Sequence, residues 1–177
     1  MDFKMLDLYS GAMRYAASRH DGQLYGDSPY IVHVGAVAYV VSLVAPGYSD
    51  FDLGYASQVA VLHDVLEDTD TSYSELANIF GVAVADGVQA LTKDKALAHD
   101  CRMRDSLRRI KEHRREVWVV KLSDRFCNLQ TLPVNWNQLK REQYLQEAKV
   151  ILEELRSVGG PAIALLEERI SQNPHLL

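Results

Sequence analysis

The chain has 177 residues and a mass of 19.9 kDa, so we expect one domain over residues 1–177. Apolar residues make up 47% and charged residues 24%, a globular balance that excludes disordered, fibrous and collagen-like chains. The net charge of −5 argues against a nucleic-acid polymer as partner, although one local basic patch could still bind a small anion.

Helical periodicity runs through nearly the whole chain. Predicted helices cover 3–19, 29–44, 51–68, 72–81, 82–91, 99–111, 116–130, 137–157 and 161–171. Ser49 or Asp50 is the expected cap of the third helix, and Ser72 with Glu75 fits a capping box. Residues 22–28 are expected to form a loop or at most a small hairpin. The sequence therefore predicts an all-α single domain, a helical bundle of about eight or nine helices.

The cysteine content and the lengths of the apolar runs indicate in which cellular compartment the protein resides. Cys101 and Cys127 form no C-x-x-C pair, so we expect buried thiols in a reducing environment. No signal-peptide core is visible, and the longest apolar run, 31–44, is shorter than the roughly 20 residues that span a bilayer. We expect a cytoplasmic protein with no membrane partner. The sequence is compatible with a homo-oligomer.

The strongest chemical signal lies in residues 62–69, which read Leu-His-Asp-Val-Leu-Glu-Asp-Thr. On a continuous helix, His63, Asp64, Glu67 and Asp68 would share one face within an arc of about 140°. Carboxylates and an imidazole are costly on an otherwise apolar helix unless a cation compensates them. The alternative is a solvated polar face with an i,i+4 His–Glu pair. Because the flanking residues are apolar and expected to be buried, we favour the interpretation in which a cation compensates the carboxylates.

A second polar stripe follows later in the chain. Asp124, Asn128 and Thr131 are spaced i, i+4 and i+7, which places them on one side of a helix. The alternative is surface polarity, or an ion pair of Asp124 with Arg125, Lys121 or Arg141. This stripe lies on a second predicted helix that can contribute residues to the same site.

His33 stands alone in an apolar helix, where a single histidine is more often a core residue than a ligand. Taken jointly with the other signals, it completes a set of two imidazoles and two carboxylates from three helices: His33, His63, Asp64 and Asp124. That mixed nitrogen and oxygen set suits manganese, iron or zinc. It is too rich in oxygen for a cysteine-type structural zinc site and too rich in nitrogen for calcium.

These residues resemble the H…HD…D signature of the HD metal-dependent phosphohydrolases. The strings at 19–23, 28–33, 62–70, 80–81, 91–95 and 120–132 are similar to the hydrolase domain of RelA/SpoT homologues. They are also similar to its stand-alone form, the small alarmone hydrolases. The similarity runs from about residue 3 to about residue 155.

The resemblance implies a reaction, a cofactor and a set of roles. Small alarmone hydrolases remove pyrophosphate from the ribose 3′ position of (p)ppGpp and use Mn²⁺. The implied metal ligands are His33, His63, Asp64 and Asp124. The implied catalytic acidic pair is Glu67 and Asp68, and the implied contacts to the ribose and phosphates of the nucleotide substrate are Asn128 and Thr131.

Two other functions stay open at this point. Another HD-domain phosphohydrolase would act on nucleoside monophosphates or deoxynucleoside triphosphates. A non-catalytic HD domain would bind nucleotides without turnover. Since every ligand and acid of the signature is present, we favour an enzyme.

One departure from the family bears on the nucleobase. The alarmone hydrolases usually carry an Arg-Lys pair that contacts guanine, and this chain has Leu24 and Tyr25 there. Tyr25 can stack on a base, but the planar donors of a guanidinium are missing. We therefore expect weak guanine selectivity and acceptance of (p)ppApp.

Residues 93–125 hold eleven Lys and Arg against six Asp and Glu, a local net charge of +5. One interpretation is a solvated basic helix. The other is that some of Lys95, Arg102, Arg104 and Lys121 face the pocket and attract the polyphosphate.

Overall fold

The computed structural model describes residues 3–130, 132 and 136–172, and helices dominate this part of the chain. Its α-helices are α1 Phe3–Arg19, α2 Tyr30–Val44, α3 Leu53–Leu62, α4 Val65–Asp68, α5 Tyr73–Phe80, α6 Val82–Leu91, α7 His99–Lys111, α8 Arg115–Gln130, α9 Gln138–Leu155 and α10 Gly160–Ser171. Two 3₁₀ turns cover Ala45–Gly47 and Arg156–Val158. The all-α prediction is confirmed.

A small antiparallel hairpin joins α1 to α2. Its strands are β1 Leu24–Tyr25 and β2 Ser28–Pro29, with Tyr25 paired to Ser28. Gly26 in the turn has φ of 61°, a left-handed conformation that glycine adopts without strain. The hairpin confirms the prediction for residues 22–28 and holds Tyr25 beside the start of α2.

Helix α5 begins and ends as its sequence predicts. Ser72 Oγ accepts a hydrogen bond from the Glu75 backbone N–H at 3.2 Å, which satisfies one unpaired donor of the first turn. The helix stops at Gly81, where φ is 88°. Such a positive φ favours glycine and interrupts the helical hydrogen-bond ladder.

The single helix predicted over 51–68 is wrong in two places. Its cap is Asp52 rather than Ser49 or Asp50, because the Asp52 carboxylate accepts the Tyr55 N–H at 2.9 Å. The helix also breaks after Leu62, and α4 resumes at Val65. Asp64, with φ of −107° and ψ of −1°, precedes α4 and accepts the Asp68 N–H on its backbone carbonyl at 2.9 Å. His63 and Asp64 therefore lie in a turn between two helices.

Helices α2, α3 and α8 pack against one another. Val34 of α2, Leu62 of α3 and Leu122 of α8 are fully buried. Burial of a side chain of this size contributes roughly 1.5–3 kcal/mol, so these contacts fix the three helices relative to each other. The predicted metal ligands lie on these helices or at their ends, which places the site beside the core.

Within the described residues, one segment, Tyr30–Gly47, is long and apolar enough to cross a membrane by length and composition. Half of it is buried inside the fold, and the core helix of a soluble protein passes the same test. Of the two cysteines that were predicted to be buried, Cys127 is buried, whereas Cys101 on α7 is exposed, so the prediction is wrong for Cys101.

Candidate active site

One cavity brings together most of the predicted site residues. Its walls come from the hairpin, α2, the turn after α3, α4, α8 and α9. The predicted residues that line it are Tyr25, His33, His63, Asp64, Glu67, Asp68, Lys121, Asp124 and Asn128. Candidate metal ligands, acidic pair and nucleotide contacts thus share one space, although they are scattered along about a hundred residues.

The four candidate metal ligands converge on one point. One ligand atom from each of His33, His63 and Asp64 lies within 4.8 Å of the other two. Asp124 Oδ1 lies 3.5 Å from His33 Nε2 and 3.8 Å from His63 Nε2. Both histidines and Asp124 are buried, and Asp64 is half-buried. This donor set suits a divalent transition metal.

The orientation of His63 shows that these residues fit a cation. Its Nδ1 lies 2.7 Å from the Ala60 carbonyl oxygen, and a carbonyl can only accept, so Nδ1 carries the hydrogen. In the neutral ring, Nε2 then presents a lone pair. That buried atom lies 2.8 Å from Asp64 Oδ2 and has no hydrogen-bond partner among the described residues. A lone pair that faces a carboxylate is repelled unless a proton or a metal ion lies between them.

The charge state of His63 supports the same interpretation. Burial opposes its charged form, but Asp64 and then Asp124 outweigh burial and raise the pKa of His63 to about 9. Without a metal, a proton therefore compensates the carboxylates. Because imidazole must be unprotonated to bind a metal, occupation of this site by a cation would release that proton.

Asp124 is held by two neighbours on α8. Lys121 Nζ lies 3.0 Å from Asp124 Oδ2, and Asn128 Nδ2 donates to Asp124 Oδ1 at 2.5 Å. The ammonium of Lys121 thus forms an ion pair with a candidate metal ligand at the wall of the cavity. Because Lys121 contacts Oδ2 of Asp124, the other oxygen, Oδ1, faces the histidines.

The two residues of the acidic pair have different surroundings. Glu67 Oε2 accepts the Lys93 backbone N–H at 2.8 Å, and Oε1 lies 3.3 Å from Lys93 Nζ. Among the described residues, no cation lies within hydrogen-bond distance of Asp68. Burial raises the pKa of Asp68, and the charges of Asp64 and Glu67 raise it further. Glu67 is thus ion-paired, whereas Asp68 holds a proton more readily than an ordinary aspartate.

Tyr25 spans the cavity between the hairpin and α8. Its ring stacks on His33 with the centroids 4.8 Å apart and an interplanar angle of 18°. Its hydroxyl donates to Asn128 Oδ1 at 2.7 Å. Both ends of the Asn128 amide are therefore engaged, one by Tyr25 and the other by Asp124.

Two predicted substrate contacts are not brought into this group. Arg102 does not line the cavity; its Nε donates to the Leu97 carbonyl and its guanidinium also donates to the Lys95 carbonyl, each at 2.9 Å. Arg102 therefore stabilises the loop before α7. Thr131 lies outside the described residues.

Sequence reasoning missed several residues that line the cavity, among them Tyr30, Lys93, Arg125 and Tyr144. The first three stand inside the family-like strings at 28–33, 91–95 and 120–132, which were the available signal. Tyr144 lies outside these strings, in a segment whose only sequence signal is the helical periodicity of α9. Its ring lies under the Arg125 guanidinium, whose carbon is 3.9 Å from the ring centroid.

Comparison with known proteins adds independent observations. A family model described as "HD domain" matches residues 12–158. Proteins of Danio rerio and Drosophila melanogaster, both named guanosine-3′,5′-bis(diphosphate) 3′-pyrophosphohydrolase MESH1, are each 32% identical over 167 residues. The alignments cover 90% of this chain and 88% and 91% of those proteins, respectively. The solved structure of a metazoan orthologue of SpoT that hydrolyses ppGpp matches with a TM-score of 0.82 at 30% identity, covering 96% of this chain and 97% of that one.

Proposed function

This chain belongs to the HD-domain family, in the branch of the small alarmone hydrolases, and on that basis we propose that it hydrolyses ppGpp. In the proposed reaction, water and ppGpp give GDP and pyrophosphate by cleavage at the ribose 3′ oxygen. One observation carries the proposal: the four candidate metal ligands and the acidic pair meet in one cavity, in a chain similar to MESH1 proteins over 90% of its length. We also propose that the reaction takes place in the cytoplasm.

We propose Mn²⁺ as the cofactor, held by His33, His63, Asp64 and Asp124. When bound, a divalent cation supplies Lewis-acid polarisation of a phosphoryl group and lowers the pKa of water. The described residues support this choice through their two imidazoles and two carboxylates, a set that matches manganese better than magnesium or calcium.

The acidic pair provides the proton chemistry. Glu67, held on both oxygens by Lys93, is placed to orient the attacking water. Asp68, whose pKa is raised by burial and by neighbouring carboxylates, is suited to carry a proton to the leaving 3′ oxygen. Both roles need the carboxylates within reach of the reacting phosphorus, and the position of Glu67 and Asp68 on α4, one helical turn beyond Asp64, supports the proposal.

Cations on the cavity wall favour a polyphosphate. Lys93, Lys121 and Arg125 all line it, and they offset the charge of the carboxylates opposite them. Together with a bound divalent cation, these three charges would balance the five carboxylates that also line the cavity, so that an anionic ligand would not be repelled. Of the basic segment 93–125, these three line the cavity, whereas Lys95, Arg102 and Arg104 do not.

The nucleoside end of the cavity supports acceptance of both purines, as (p)ppGpp and (p)ppApp. Tyr25 offers an aromatic face and one hydroxyl, and that hydroxyl is already bonded to Asn128. Stacking on an aromatic ring does not distinguish guanine from adenine, because both bases have a π face. A Tyr25 that stacks on a base would leave His33 and release Asn128 for the ribose.

A substrate panel tests the proposed function. Protein stripped with chelator and reloaded with Mn²⁺ is given ppGpp, ppApp, a deoxynucleoside triphosphate and a nucleoside monophosphate, and the products are separated by chromatography. We expect pyrophosphate from both alarmones and none after Asp64→Asn. Release of triphosphate or of orthophosphate from the other two compounds alone would favour a different HD-domain phosphohydrolase. No pyrophosphate from either alarmone would overturn the proposal.

A further inference from the structure

Tyr30 places one hydroxyl between two carboxylates of the site. The hydroxyl donates to Asp64 Oδ2, and Asp68 Oδ2 lies 3.5 Å from the same oxygen. The residue is 8% exposed, so water does not compete freely for these contacts. A phenol has one hydrogen to donate, and the geometry gives it to Asp64.

Two residues of the string at 19–23, His20 and Gln23, support Tyr30 from outside the lining of the cavity. His20 stacks on the Tyr30 ring with the centroids 4.7 Å apart and an interplanar angle of 27°. His20 Nδ1 lies 2.7 Å from Gln23 Oε1, and the Tyr30 backbone N–H donates to the Gln23 carbonyl at 2.9 Å. His20 is 4% exposed, and its Nε2 has no hydrogen-bond partner among the described residues. The string at 19–23 thus fixes both the ring and the backbone of Tyr30.

We infer that Tyr30 is a positioning residue that joins the metal ligand Asp64 to the acidic residue Asp68, with His20 and Gln23 as its support. A hydrogen bond to a ligating carboxylate fixes the direction in which its oxygens point and so raises metal affinity. The same hydroxyl oxygen lies 3.5 Å from Asp68 Oδ2, so Tyr30 also limits where that carboxylate can lie relative to Asp64. Only the turnover part of this inference rests on the proposed function; the part on metal binding does not.

The substitution Tyr30→Phe tests the metal-binding part, because it removes the hydroxyl and keeps the ring that His20 contacts. Chelator-stripped wild type and variant are titrated calorimetrically with MnCl₂ alone. We expect the variant to bind Mn²⁺ roughly 10–100-fold more weakly. The matched control is Tyr39→Phe on the same helix, whose side chain is 64% exposed and which should bind as wild type does. Wild-type affinity in Tyr30→Phe would overturn the inference.

Steady-state kinetics with ppGpp at saturating Mn²⁺ tests the catalytic part. We expect kcat of Tyr30→Phe to fall at least about tenfold while KM stays within about twofold, since Tyr30 positions carboxylates and does not hold the nucleotide. A rise in KM at unchanged kcat would contradict a positioning role. If wild type releases nothing from ppGpp, the proposed function fails, whereas the Mn²⁺ titration still decides the role of Tyr30.

A double-mutant cycle tests whether His20 acts through Tyr30. His20→Ala should weaken Mn²⁺ binding in wild type and have no further effect in the Tyr30→Phe background. Equal effects in the two backgrounds would contradict the support assigned to His20. Circular dichroism measures whether each variant is folded. If Tyr30→Phe does not fold, unaltered Mn²⁺ affinity in His20→Ala would by itself refute the inference.

Discussion

Lys121 and Asp124 form a buried ion pair one helical turn apart on α8, with Nζ 3.0 Å from Oδ2 and side chains 10% and 9% exposed. Burial alone would raise the pKa of Asp124. Lys121, followed by His33 and His63, outweighs burial and holds that pKa well below its usual range. The candidate ligand Asp124 therefore stays ionised before any metal binds.

Substitution of Lys121 should affect the metal-free protein most. Loss of one partner from a buried ion pair costs about 3 kcal/mol, because the remaining charge is left uncompensated. Mn²⁺ would supply the missing positive charge, so Lys121→Met should lose more stability in EDTA than in MnCl₂. Thermal unfolding in the two buffers measures the difference. Equal destabilisation in both buffers would show that no cation binds next to Asp124.

The control for that experiment is Lys111→Met. Lys111 Nζ lies 2.6 Å from Glu154 Oε2, but these side chains are 40% and 47% exposed. Solvent-exposed pairs contribute less than about 1 kcal/mol, so this variant should change stability little and independently of Mn²⁺.

Gly87 marks a close contact between helices in the core. An added Cβ would press on the Tyr55 hydroxyl and lie 3.2 Å from Val59 Cγ2 and 3.3 Å from Val117 Cγ2. Gly87→Ala should therefore lower the free energy of unfolding by about 1–3 kcal/mol. Gly11→Ala on α1, where a Cβ meets nothing within 4 Å, should raise it by about 0.5–1 kcal/mol. Urea denaturation measures both, and a gain in stability for Gly87→Ala would contradict the packing around it.

The two thiols should react at very different rates. Burial, and secondarily the charge of Asp124, raises the pKa of Cys127 to about 12, so almost no thiolate is present at pH 8. Cys101 is exposed. An aromatic disulfide reagent should therefore label one thiol per chain in the native state and two in guanidinium chloride. Cys101→Ser should remove the native reaction, and rapid labelling of that variant would place Cys127 at the surface.

Tyr25 should govern the choice of nucleobase. We expect the ratio of kcat/KM for ppGpp over ppApp to stay below about a hundredfold, which corresponds to about 2.7 kcal/mol. Tyr25→Arg should raise that ratio, because a guanidinium supplies planar donors that match the O6 and N7 acceptors of guanine. Parallel kinetics on both nucleotides give the ratio, and a wild-type preference above that limit would refute the expectation.

Local patterns predicted most of the fold. Helix α5 follows from Ser72 and Gly81, since a capping side chain and a left-handed glycine act within one turn. The break after Leu62 was missed because residues 62–69 keep helical spacing on both sides of it. Asp64 accepts a hydrogen bond from Tyr30 of α2, and no pattern within residues 62–69 reveals that contact.

The candidate site divides in a similar way. His33, His63, Asp64 and Asp124 were identifiable because their residue types and the family signature agree. Lys121 was predicted to contact substrate, and the structure instead shows the alternative, its ion pair with Asp124 at 3.0 Å. The position of Arg102 depends on how α7 lies against its loop, which charge alone does not reveal.

The most direct test of the central claim is the identity of the products that Mn²⁺-loaded protein forms from ppGpp, measured by mass spectrometry over one time course. We predict GDP and pyrophosphate in equal amounts, with turnover lost in Glu67→Gln and in buffer with EDTA. Orthophosphate as the released group, or turnover that persists in EDTA, would contradict a metal-dependent 3′-pyrophosphohydrolase.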